Sequence, residues 1–64
     1  MKFAEIKTGL TLENTHSTTY VEVIEKGENG FTAIEKGNAC GVYDIQKTHT
    51  YSKFSAESGA WKIK

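Results

Sequence analysis

The side chains able to do chemistry in this sequence are few, and they are scattered. Cys40 stands between Ala39 and Gly41 in a turn-forming run, where a thiol would face solvent. Nucleophilic cysteines need a cation or a base nearby to hold the thiolate, and the neighbours of Cys40 supply too little positive charge for that. His16 and His49 lie far apart in the chain and have no cysteine pair or acidic cluster beside them, so their spacing does not build a metal site. Glu22, Glu25 and Asp44 have the spacing of solvent-facing strand residues, which forces no two carboxylates together for acid–base work. Gly27, Gly30, Gly37 and Gly41 sit in turns rather than at a strand-to-helix junction, and so form no phosphate-binding loop. A chain of 64 residues also has little material with which to enclose a ligand pocket. The expectation is a non-catalytic protein with no cofactor, no metal and no small-molecule substrate.

The other functional candidates depend on the stretch Tyr20–Ile45. It carries an internal echo: Ile24-Glu25-Lys26-Gly27 before Gly30-Phe31, then Ile34-Glu35-Lys36-Gly37 before Gly41-Val42. Apolar strand ends running into charged, glycine-bearing turns predict a three-stranded antiparallel meander. Glu28-Asn29-Gly30 matches a three-residue hairpin loop with Gly30 in the left-handed position. That turn would set Val23 opposite Glu35, Glu25 opposite Ala33, Ile24 opposite Ile34 and Glu22 opposite Lys36. Pairing Ala33 with Tyr43 and Phe31 with Ile45 then gathers Val21, Val23, Phe31, Ala33, Tyr43 and Ile45 on a core face. The opposite face carries Tyr20, Ile24, Ile34 and Val42 among Glu22, Lys36 and Asp44. That is more apolar surface than a solvated face needs.

On either side of the meander, Lys2–Leu12 alternates with period two and reads as a strand with Ala4, Ile6, Leu10 and Leu12 inward, Phe3 outward and a bend at Gly9. Glu13–Thr19 is a polar loop. The segment after Ile45 continues as strand, against a rival short helical turn over Thr50–Ser58 stopped by Gly59. Repeating the first turn pattern at Glu57-Ser58-Gly59 would place Trp61 opposite Ser55 and Ile63 opposite Lys53, with Trp61 closing the core.

The fold class is therefore all-β: a single domain, residues 1–64, of five or six short antiparallel strands. The layout of bent first strand, polar loop, meander, late aromatic turn and short last strand resembles the SH3-like small barrels, the KOW and Tudor-type modules among them. That resemblance implies a meander closing into a barrel. It carries no ligand set here, because the aromatics are mid-strand rather than clustered at loop tips.

Composition narrows the function classes. Apolar residues are 38% and charged residues 25%, a folding balance. No apolar run is long enough to span a membrane, and the Met1-Lys2-Phe3 opening meets Glu5 and Lys7 too soon to be a secretory segment. One cysteine fits a reducing compartment, so the expectation is cytoplasmic. The net charge of zero conceals an acidic middle and basic ends: Glu13–Asp44 holds six acids and two lysines, and the remainder holds six lysines and two acids.

Two readings follow. In the first, Tyr20, Glu22, Ile24, Ile34, Val42 and Asp44 form the docking surface of a protein-interaction module, a regulator or inhibitor of a larger protein, or a surface for self-association. The short, proline-free chain is similar in style to accessory proteins of bacteria and their viruses (phage). In the alternative, Lys2, Lys7, Lys47, Lys53, Lys62 and Lys64 converge near Tyr51, Phe54 and Trp61 to bind single-stranded nucleic acid by phosphate contacts and base stacking. The absence of arginine counts against that second reading.

Overall fold

The computed structural model describes residues 1–64. Five strands form: β1 (Thr11–Asn14), β2 (Tyr20–Lys26), β3 (Gly30–Asn38), β4 (Gly41–Ser52) and β5 (Trp61–Ile63), with a short helix α1 (Lys53–Glu57) between the last two. They make one antiparallel sheet in the order β4-β3-β2-β1-β5. The chain is all-β, as its alternation dictates. Barrel closure is not reached: β4 and β5 are the two edges and do not pair with each other.

In the meander the core face matches the period-two pattern at Val21, Val23, Phe31 and Ala33, which are all buried. The register differs from the expected one. Val23 faces Ala33, Glu22 faces Ile34 and Val21 faces Glu35, a slip of two residues that leaves these side chains on their expected faces, whereas Glu25, expected opposite Ala33, faces Thr32 on the other side. The turn chemistry explains the slip. Gly30 does not adopt the left-handed conformation; the glycines with positive φ are Gly9, Gly41 and Gly59. The loop instead closes through a Gly27 N–H donating to the Gly30 carbonyl at 2.9 Å, and Lys26 faces Phe31. A bulge between Val23 and Glu25 takes up the odd residue and leaves Ile24 without a partner. Glycine is required at position 30 for space, since a Cβ there would lie 2.4 Å from the Tyr51 carbonyl oxygen.

The β3–β4 pairing departs further. Ala33 faces His49 and Phe31 faces Tyr51, not Tyr43 and Ile45. Near the turn Gly37 faces Val42, so the four residues Tyr43–Gln46 stand opposite Lys36 alone. Ile45 is consequently 77% exposed and leaves the expected core, and Tyr43 is only half-buried. Tyr51 replaces them because its ring meets both Phe31 and Trp61; the long bulge absorbs the difference between that register and the tight Asn38–Gly41 turn.

The N-terminal strand is replaced by a 3₁₀ turn at Phe3–Glu5. Its three-residue period sets Phe3 and Ile6 on one side. Both are buried, while Ala4, expected inward, is exposed. Burying a phenylalanine ring rather than a methyl group gains roughly 1 kcal/mol or more. Gly9, at φ +92°, bends the chain into β1.

At the other end the strand runs through Ser52, whose hydroxyl caps α1 by accepting from the Ser55 N–H at 3.1 Å. The rival helical reading therefore holds for Lys53–Glu57, with Gly59 at φ +86° just beyond it. Trp61 faces Asn14, and Ile63 faces Leu12, because β5 pairs with β1 rather than folding back on Lys53–Ser55. The indole N–H still donates to the Ser55 hydroxyl at 3.3 Å. Phe3, Ile6, Leu12, Val21, Val23, Phe31, Ala33, Ala56 and Trp61 make up the core.

Space at position 30 gives a comparative test. Gly30→Ala should lower unfolding free energy in urea by roughly 1–3 kcal/mol. Gly27→Ala, where the added carbon would meet nothing closer than 3.8 Å, should change it far less. Equal effects would contradict the steric account.

Candidate functional site

The N-terminal segment, α1 and Trp61 all contribute to one core on one side of the sheet. Cross-strand pairing arranges the other side in rows: Glu13, Tyr20 and Gly37; then Thr11, Glu22, Ile34 and Thr48; then Glu25, Thr32 and Thr50. Tyr20 reaches over Gly37, where an added Cβ would lie 2.9 Å from the phenol oxygen, and Lys64 Nζ sits 3.6 Å from the Tyr20 ring centroid. Lys36 Nζ approaches Glu22 at 3.6 Å, and Lys62 Nζ approaches Glu13 at 3.7 Å. Exposed pairs of this kind add little stability; their effect here is to leave the face electrically balanced.

Of the six residues expected to form a docking surface, Tyr20, Glu22 and Ile34 are brought together on this face. Ile24 stands in the β2 bulge at 39% exposure, and Val42, 69% exposed, lies opposite Gly37 at the far end. Asp44 projects from the β4 bulge and is exposed. The lysines of the alternative reading are distributed differently. Lys62 and Lys64 sit on the outer face with Glu13 and Tyr20, and Lys47 lies in edge strand β4. Lys53 Nζ is 5.9 Å from the Phe3 ring centroid and is joined there by Lys26, whose Nζ donates to the Phe3 carbonyl at 3.0 Å. Lys2 and Lys7 are exposed in the N-terminal segment. Trp61 is 5% exposed and Tyr51 half-buried, while Phe54 is 82% exposed.

Cys40 is exposed in the β3–β4 turn, its N–H bonded to the Asn38 side-chain oxygen at 2.8 Å. His16 is exposed in the β1–β2 turn, its N–H bonded to Asn14 Oδ1 at 2.9 Å. No three His, Cys, Asp or Glu side chains gather as metal ligands. No helix is long and apolar enough to cross a membrane. One open groove of about 520 Å³ runs beside the β2–β3 loop, lined by Phe31 and Tyr51 together with Glu25, Asn29, Thr32 and Thr50.

One constellation was not visible in the sequence. Glu35 Oε1 lies 3.6 Å from His49 Nε2, and the His49 ring is 6.0 Å from Tyr51. The only sequence signal is the alternation Lys47, His49, Tyr51, and it becomes informative once the β3–β4 register is known. Burial, and secondarily the Glu35 carboxylate, hold the Tyr51 phenol above its ordinary pKa of 10.0.

A phenol that binds its proton more tightly folded than unfolded stabilises the fold below pH 10, and that stability is lost as pH rises through the higher folded value. Tyr51→Phe should therefore flatten the fall in unfolding free energy above that pH. An unchanged alkaline slope would show that Tyr51 titrates as it does in the unfolded chain.

The chain matches no protein-family model, and neither the curated proteins nor the solved structures contain a significant match.

Proposed function

We propose that this chain is a small non-catalytic protein-interaction module whose outer sheet face docks on a larger protein and regulates or inhibits it. The observation that carries this reading is the one-sided core. Every covering element packs on the other side of the sheet, and the outer face keeps Tyr20 and Ile34 only half-buried, with Ile24 partly exposed in the β2 bulge and Val42 exposed at the far end. Charges on that face are balanced among themselves, so its remaining capacity for association is apolar and shape-based. Tyr20 supplies an aromatic ring held in place by Gly37 and Lys64, the type of rigid anchor that interfaces favour.

A three-stranded meander followed by a short last strand that returns to β1 supports reading the domain as an SH3-like small barrel left open at one side. A single exposed cysteine supports a cytoplasmic setting, and the style of the sequence supports a bacterial or phage accessory protein. Nucleic-acid binding has less in its favour, because Trp61 is packed in the core and the lysines are dispersed.

The double variant Ile24→Glu with Ile34→Glu should keep its β circular-dichroism spectrum and lose less than about 2 kcal/mol of stability. Used as bait in a pull-down from host lysate, it should no longer retain the protein that the parent chain captures. Retention at parental levels would remove the outer face from consideration.

A further inference from the structure

The outer face is not the only open surface. β4 is an edge of the sheet, with β3 on one side and no strand on the other. Its stretch Lys47–Ser52 pairs residue for residue with Gly30–Glu35 and contains no bulge. A regular, unpaired edge is a template for a further strand. We infer that this edge accepts an acidic, extended segment of the partner protein by strand addition. The inference rests on the interaction-module reading and specifies how part of that interaction is made.

Charge and symmetry identify the occupant. Lys47 and His49 lie on one face of the strand, the face that also carries Tyr51, and Thr48 and Thr50 lie on the other. Glu35 is engaged by His49 at 3.6 Å, and Lys47 has no carboxylate within ion-pair distance. A second copy of the chain is a poor match. In an antiparallel two-fold pair, opposed residues share a face, so only registers that oppose odd positions with odd positions are allowed. Centring on Lys47 opposes it to itself, centring on Thr48 opposes Lys47 to His49, and centring on His49 opposes that ring to itself. Centring on Thr50 runs Lys47 towards Lys53 at the start of α1. Each of these juxtaposes cations or potential cations, and like charges directly opposed destabilise a ladder. An incoming strand with a carboxylate opposite Lys47 and β-branched residues opposite Thr48 and Thr50 turns the same side chains into attractive pairs. Asp44, exposed in the neighbouring bulge, disfavours a further carboxylate of the segment beyond Lys47.

The test is a titration of the isotopically labelled full chain, followed by amide NMR, with two short peptides. One alternates glutamate with valine, and the other has lysine in place of each glutamate. The acidic peptide should shift β4 amides, bind more weakly as salt rises, and fail when its backbone amides are N-methylated. Lys47→Glu should weaken it roughly three- to tenfold. Equal binding of both peptides, binding of neither, or shifts confined to the outer face would overturn the inference. So would a peptide-free dimer that protects β4. If peptide binding fails while the outer-face variant still abolishes pull-down, the edge is excluded and the module reading survives.

Discussion

Contact among three rings, Phe31, Tyr51 and Trp61, is the interaction on which the rest of the structure depends. Phe31 and Tyr51 are directly opposed on β3 and β4, with centroids 5.2 Å apart. Trp61 enters from β5, 4.9 Å from Tyr51 and edge-on to Phe31 at 6.4 Å. β5 and β4 are opposite edges of the sheet, so rings in contact across that span require the sheet to curl. Each such pair contributes roughly 0.5–1.5 kcal/mol beyond the area it buries. In a domain of 64 residues, where folding buries only about 60% of the unfolded surface, that is a substantial part of the margin.

The consequences reach both ends of the chain. Committing Tyr51 to this cluster fixes the register of β4, and the tight turn at Asn38–Gly41 fixes another register a few residues away. Tyr43–Gln46 absorb the mismatch and are pushed outward, which exposes Ile45 and Asp44. The cluster also leaves one side to be covered, and the N-terminal segment covers it with Phe3 and Ile6. Phe3 is held by its N–H to Glu57 at 3.3 Å and by Lys26 on its carbonyl. With the covering elements concentrated on that side, the outer face is left uncovered and β4 and β5 end the sheet as edges.

Period-two alternation was enough to locate the core face at Val21, Val23, Phe31 and Ala33, and it placed Tyr20, Glu22 and Ile34 together on the outer face. These positions were readable because side-chain facing survives an even slip in register. Features that depend on register itself were not readable. Gly30 looked like a left-handed turn residue and is instead a steric necessity against Tyr51. Tyr43 and Ile45 looked like core because local alternation does not reveal a four-residue bulge set by a distant tryptophan. Phe3 and Ala4 exchanged roles because a 3₁₀ turn replaced a strand, a choice decided by which side chain gains more from burial. Glu35 and His49 are fourteen residues apart in the chain, and nothing local announces their meeting.

The ring cluster can be observed directly. A two-dimensional nuclear Overhauser spectrum of the intact chain should show cross-peaks from the Trp61 indole protons to the rings of both Phe31 and Tyr51. Strong contacts from Trp61 to neither ring, or contacts from Phe31 to Ile45 in place of Tyr51, would contradict the register of β4 and the one-sided core derived from it.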